Sequence, residues 1–411
     1  MELSKKGRGP SIRSKNLNTM KNLILLTFGC WLVSQISIVA QSEQSLVFDY
    51  AVKEIVRNAC LEQKIQGASL SIILADGNVY KYAIGIGRKG EVITDTTLFY
   101  AGNSTELYLA TLALSLEEKG IIDLDAPIEQ YVKSGEFIDK AVTPRQLLSH
   151  TSGIYNIFLN PDLEDDFMAL SPEKISPTFI MKQWLTKPNG YTPGTTLQYY
   201  NPTDYLILGI IIEHVTERPL EQLLREAFWE PLEMDHTFWG GYEAYQNQLA
   251  GGWYYAHHKL IDYSEDPDIE MYLKACWGSS NLLITPTDAA KFVRALVSGQ
   301  ILQPASFALM TTINPLRGTA NYHTGMGLEK LILGKELAFG TAGGGYYFLG
   351  NRMLVFYHPQ DNITIAIASN TLSNNRDGMP DFLFQMHLAI SNLVKEAEWE
   401  KDVLSYSLSK N

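Results

Sequence analysis

The 411-residue chain has only three cysteines, Cys30, Cys60 and Cys276, too few for a disulfide scaffold and without metal-ligand spacing. It has no internal repeat and no low-complexity linker, and nothing in its composition fits a fibre or a disordered chain. Charged residues are sparse at 19%, against 45% hydrophobic. A chain of this length and balance buries a large core, as one big domain or two lobes.

What is present begins with an asymmetric N-terminus. Lys5, Lys6, Arg8, Arg13, Lys15 and Lys21 precede the apolar run "LILLTFGCWLVSQISIVAQS", which ends in small residues. A basic region, an apolar core and Ala40 before Gln41 describe a secretory signal over residues 1–40, with export to a secreted or periplasmic location. Met20 is an alternative start. A retained membrane anchor is the competing reading, because the run is near the lower length for spanning. "TFGC" fits a lipid-attachment pattern poorly, since Thr27 and Phe28 precede Cys30. After cleavage no stable membrane span is expected. Removing a segment of net charge +5 from a chain of −12 leaves −17. Such an acidic surface speaks against nucleic acid or anionic lipid as a partner. In an oxidising compartment Cys60 and Cys276 could pair, but sequence does not fix their separation.

Periodicity then sets the fold. Residues 45–63 have apolar positions at helical spacing, and "GASLSIILADGNVYKYAIGIG" places two β-rich runs around Asp76-Gly77, a hairpin signal. From about 104 to 235 the pattern is mostly helical, punctuated by Pro and Gly. "TPTDAAKFVRALVSGQ" opens with a capping-box-like Thr285, Pro286 and Asp288. Strands return after 320, with "RMLVFYHPQDNITIAIASN" as a second hairpin and a closing helix over roughly 379–398. Strands at both ends around a helical middle predict a mixed α/β fold. In it, an antiparallel sheet is flanked by helices on both faces and a mostly helical lobe is inserted. The expected division is 41–103 with 270–411 as the sheet-plus-helix region and 104–269 as the lobe, together one domain.

Four segments occur in order: "LFYAGNSTELYLA", "TPRQLLSHTSG", "PGTTLQYYNPTDYLILG" and "FGTAGGG", supported by "EPLEMDHTF" and "SSNLLITPTDAAKF". Together they resemble the serine β-lactamase and penicillin-binding-protein superfamily. The likeness is to class C β-lactamases, D-alanyl-D-alanine carboxypeptidases and related esterases, and it covers nearly the whole mature length. The resemblance implies a Ser at a helix N-terminus attacking a carbonyl, a Lys three residues on, a Tyr-x-Asn element, and a Lys or His on an edge strand. Anchored by Phe99 and Ala110, the first segment puts Asn103 at the nucleophile and Glu106 at the Lys. Tyr199, Tyr200 and Asn201 match the Tyr-x-Asn element, with Tyr199 as its Tyr, and Thr341 stands at the edge-strand cation. Of the four reacting side chains only the Tyr is kept.

The replacements bear directly on the chemistry. An Asn amide has no nucleophilic lone pair comparable to an alkoxide. A carboxylate in place of a cation reverses the local field and raises rather than lowers a phenol's pKa. An acyl-enzyme route is therefore not expected, and no residue is assigned a catalytic role. Shifting the register by one makes Ser104 the nucleophile but leaves Leu107 where a base is needed, and Ser171 to Lys174 is a coincidental Ser-x-x-Lys. The resemblance places the oxyanion hole on the backbone N–H groups of Asn103 and Gly344, which survive side-chain loss. The expected ligand-binding set is Asn103, Glu106, Tyr199, Asn201, Thr341 and Gly344.

Each of these residues also has a purely structural explanation. Asn103 with Ser104 reads as a helix N-cap, with Glu106 favourable to the helix dipole. His150 reads as a turn residue. His257-His258 has no partner spacing for a metal, and "GTAGGG" lacks the Lys and helix of a phosphate loop. No metal and no cofactor is expected. The leading expectation is an exported, non-catalytic protein that binds a peptide-like or cell-wall-derived ligand, or a protein partner, in the old cleft. The alternative is a hydrolase of amide or ester bonds in which Glu106 activates water without an acyl-enzyme. A third reading is an ordinary serine hydrolase or β-lactamase.

Overall fold

The structure is a computed structural model that describes residues 46–132, 137–160, 172–188, 190–194, 200–246, 248–256, 259–264, 269–312, 318–319, 322–344, 350–373 and 382–409. The expected signal, Tyr199, Ser171 and His257-His258 lie outside the described residues. The chain forms two compact units. In one, the described residues 46–54 and 393–409 are helical. The other, Ile55–Asn392, holds every strand among the described residues and the candidate site.

The main sheet has eight strands in the order β2-β1-β13-β12-β11-β10-β9-β8, and each neighbouring pair is antiparallel. Its first strands, β1 (Gly67–Ile73) and β2 (Val79–Gly85), come from one end of the chain. β8 (Gly318–Thr319), β9 (Tyr322–Thr324), β10 (Glu329–Leu333), β11 (Glu336–Gly344), β12 (Arg352–His358) and β13 (Ile363–Ser369) come from the other. β1 and β13 join the two contributions, with Leu70 opposite Ile367. Both sequence hairpins form. Gly77 has φ +87°, the left-handed conformation that a side chain resists, and the Asp76 carboxylate accepts the Asn78 N–H at 3.0 Å.

Side chains alternate across β12, so its two faces meet different helices. On one face the Arg294 guanidinium of the Pro286–Val297 helix lies 5.9 Å from the Tyr357 ring centroid. On the other, Phe356 packs edge-on against His387 of the closing Phe382–Ser409 helix. The sheet is thus sandwiched between helices. The Pro286–Val297 helix starts where the sequence places it, because Thr285 Oγ1 accepts the Asp288 N–H at 3.3 Å.

Between β3 (Phe99–Tyr100) and β4 (Thr237–Trp239) every element among the described residues is helical, and the Thr105–Glu118 and Pro202–Thr216 helices contribute buried faces to the main core cluster. β3 and β4 pair with β7 (Leu282–Ile284), while β14 (Thr371–Ser373) pairs with β5 (Trp253–Ala256), which pairs with β6 (Lys259–Asp262). Cys60 and Cys276 are both free and buried, so the pairing left open by the sequence is not made. Burial pushes the Cys60 thiol up to about 11, which keeps it protonated. Among the described residues no helix is long and apolar enough to cross a membrane.

Candidate functional site

The site is built where the first turn of the Thr105–Glu118 helix meets the end of β11. The approach is so close that side chains are excluded on both sides. A Cβ on Gly102, whose φ is +58°, would lie 2.2 Å from the Gly344 carbonyl oxygen. One on Gly343 would lie 2.3 Å from the Ala101 oxygen. The glycines of "AGNS" and "TAGGG" therefore permit two backbone segments to touch.

Asn103 stands in the one-turn 3-10 helix Gly102–Ser104 that precedes the α-helix. Its Oδ1 accepts the Gly344 N–H at 3.1 Å. The N-cap role expected from sequence is not made. Ser104 is the capping residue, no side-chain cap hydrogen bond forms there, and the Asn103 amide reaches across to β11 instead. Ser104 is itself buried under β11, where its Oγ accepts the Thr341 hydroxyl at 3.3 Å. Asn103, not Ser104, faces the open side of the turn.

A cavity of about 260 Å³ opens there. Tyr100, Phe158, Tyr200 and Pro202 form its apolar wall, and Asn103, Ser279, Ser280 and Gly344 its polar one. Of the six residues expected from sequence, the structure brings Asn103 and Gly344 together at this cavity. Glu106, Asn201 and Thr341 lie nearby but do not line it. Asn201 is buried and engaged as a cap of the Pro202–Thr216 helix: Oδ1 accepts the Thr203 N–H at 3.1 Å, and Nδ2 donates to the Ile154 carbonyl at 2.8 Å.

Glu106 has turned inward. It is only 5% exposed, and its Oε2 lies 3.3 Å from His150 Nε2. The other ring nitrogen, Nδ1, lies 3.2 Å from Asp204 Oδ2, and the Ser152 hydroxyl donates to Asp204 Oδ1. Glu106 Oε1 is buried with no hydrogen-bond partner among the described residues. Burial alone would pull the His150 imidazole down. The Glu106 charge and the hydrogen bonds to Asp204 and Glu106 outweigh it and hold His150 up to about 9. Burial pushes the Asp204 carboxyl up, opposed by its bonds to His150 and Ser152. The arrangement thus favours the imidazolium form of His150 between two carboxylates, where the resemblance expects a cation on the helix.

His150 takes φ +55° after the Pro144–Leu148 helix, a left-handed conformation few side chains adopt. It is the turn residue that sequence reading made it, and it is also the centre of a buried relay. Asp204, Tyr200, Phe158, Ser279 and Ser280 were not singled out as site residues. The available signals were Asp204 in the first turn after "YYN", and Ser279-Ser280 just before β7.

The antiparallel sheet between helices and this helix–strand cleft match the fold of β-lactamase-related proteins. A family model described as Beta-lactamase matches residues 47–389, and the chain belongs to that family. Among curated relatives, Penicillin-binding protein 4 of Amycolatopsis lactamdurans is 27% identical over 61% of this chain and 66% of its own length. The Teichoic acid D-alanine hydrolase of Staphylococcus aureus is 23% identical over 74% of this chain and 71% of its own. Bacillus subtilis PbpX is 26% identical, and the chain spans 57% of it. This chain therefore spans less than two thirds of the penicillin-binding relatives it matches. Among solved structures, D-amino acid amidase from Ochrobactrum anthropi SV3, complexed with L-phenylalanine amide, superposes with a TM-score of 0.71 at 22% identity. That match covers 85% of this chain and 99% of the amidase.

Proposed function

We propose that this family member is non-catalytic and exported, and that its cleft binds a small peptide-like ligand carrying an amide. The observation that carries the reading is the Asn103 Oδ1 to Gly344 N–H hydrogen bond at 3.1 Å. By resemblance, the Gly344 N–H is one of the two donors that hold a substrate carbonyl. Here the side chain at the nucleophile position supplies a carbonyl of its own to that donor. An incoming carbonyl must displace it, at a net cost of about 0.5–1.5 kcal/mol for one exchanged hydrogen bond. The same side chain cannot attack once the ligand is bound. Export is supported by the basic and apolar pattern of residues 1–40.

The cavity supports an aromatic or short aliphatic side chain next to an amide. Three rings offer apolar area, while Ser280 and Ser279, whose hydroxyl already donates to the Cys276 carbonyl at 3.2 Å, form the polar side. The relatives' names point to the same chemistry, amino-acid amides and D-alanine linkages. The test is calorimetric titration with D- and L-phenylalanine amide and D-alanyl-D-alanine, alongside chromatography of each mixture after long incubation. Saturable binding with the ligand recovered intact is the expected result. Release of ammonia or free amino acid above a heat-inactivated control would refute the non-catalytic reading.

A further inference from the structure

At the opposite end of β11 from the cleft, three potential ligand groups converge. Glu336 opens that strand and Gly344 closes it, so the two ends lie about 26 Å apart at 3.3 Å per residue. His358 ends the neighbouring β12, and Asp361 sits in the turn between β12 and β13. One ligand atom from each of Glu336, His358 and Asp361 lies within 4.8 Å of the other two. His358 is fully buried, and both carboxylates are half-buried. The imidazole is therefore fixed by packing, while each acid is partly exposed and one Asp361 oxygen, Oδ2, is buried.

We propose that Glu336, His358 and Asp361 form a binding site for a divalent first-row transition cation, of the kind Zn²⁺ or Mn²⁺ represent. One imidazole and two carboxylates suit that class better than an all-oxygen cation such as Ca²⁺ or a thiolate-seeking one such as Cu⁺. Around a tetrahedral ion, metal–ligand distances of about 2.0–2.2 Å put donor atoms about 3.3–3.6 Å apart, so the carboxylates must close in by up to roughly 1.5 Å, within the reach of their rotamers.

The surroundings of His358 add an independent argument. Its Nε2 lies 2.9 Å from Nε2 of His387 on the closing helix. Two imidazole nitrogens at that separation need one proton between them. With that proton on His358, its Nε2–H donates to His387 and its Nδ1 carries the lone pair a cation requires. Metal-bound histidines typically donate their second N–H to a carboxylate, a backbone carbonyl or water, which fixes tautomer and ring orientation, and here the His387 Nε2 would take the acceptor's place. A bound ion would thus tie the β12 end, the following turn and the closing helix together. This site is independent of the cleft and of whether the cleft is catalytic.

The test is titration of the tag-free, chelator-treated full chain with ZnCl₂ and MnCl₂ at neutral pH, followed by calorimetry and by thermal unfolding. One equivalent of metal is expected, with a chelator-reversible rise in melting temperature. The doubly substituted Glu336→Gln, Asp361→Asn chain keeps the shape of both side chains. It is expected to lose affinity by at least about tenfold, the scale of even an outer-shell change. Electron spin-echo modulation of Mn²⁺ bound to the unsubstituted chain provides a readout free of folding effects, and one imidazole nitrogen is expected. Absence of saturable binding, equal affinity in the doubly substituted chain, or an all-oxygen Mn²⁺ spectrum would each overturn the proposal.

Discussion

Asn103 and Glu106 sit three residues apart at one helix start, and each replaces a group that the resemblance assigns to catalysis. Their surroundings differ. Asn103 lines the cavity and accepts a hydrogen bond from the Gly344 backbone at the end of β11. Glu106 is buried and joined to His150 and, through it, to Asp204. The difference shows what each position costs to change. At the solvent side a polar amide is accommodated by a single backbone donor. In the interior a carboxylate needs a compensating cation, and His150 supplies it.

The sharpest way to break this comparison is Glu106→Lys, which reinstates the cation the resemblance expects. It would place an ammonium against a protonated His150 and leave no room for both charges. A loss of about 3–5 kcal/mol in urea unfolding is expected, the range for breaking a buried pair. Little or no loss would mean that Glu106 and His150 are not electrically coupled.

A smaller effect should appear in the pH dependence of stability. His150 has its folded pKa raised from 6.5 to about 9, so the folded state holds the proton more tightly. Its contribution is complete below the unfolded value near 6.5 and is lost as pH rises through about 9. A difference on the order of 3 kcal/mol is the upper scale for a shift of this size. Urea unfolding between pH 6 and pH 10 should show the decline in the unsubstituted chain. In Glu106→Gln the decline should move to lower pH, because the charge that holds the proton is gone. Identical profiles for the two chains would contradict the relay.

The smallest expected change is at the cavity side. Asn103→Ala removes the carbonyl that accepts from Gly344, with a stability cost of about 0.5–1.5 kcal/mol. The freed N–H then becomes available to a ligand carbonyl. Phenylalanine amide should bind more tightly to Asn103→Ala, by up to roughly tenfold for one hydrogen bond no longer displaced. Weaker binding would assign the Asn103 amide to ligand contact rather than to closing the donor.

Sequence reading reached the fold because its signals are local. Asp76-Gly77 turns the first hairpin, Thr285 caps its helix, and alternation marks β12 and β13. Four ordered segments placed the first turn of the Thr105–Glu118 helix beside the strand carrying Thr341. What escaped were contacts between residues far apart in the chain. Glu106 meets His150 across 44 residues and His150 meets Asp204 across 54, and neither pairing leaves a spacing signature. Asn103 has the composition of a cap, yet a partner 241 residues away takes its carbonyl. Local propensity names a residue's options, and tertiary contact chooses among them. Asn201 shows the reverse. It was expected at the ligand, and its amide is spent on a cap and a loop carbonyl.

The central claim is that Asn103 leaves the cleft without a nucleophile while Ser104 is sequestered beneath β11. The most direct measurement is intact-protein mass spectrometry after prolonged incubation with a fluorescent penicillin, followed by peptide mapping. The account predicts an unmodified mass for the unsubstituted chain, folded by circular dichroism before and after. A stoichiometric acyl adduct, mapped to Ser104 or to any other serine of the cleft, would contradict it.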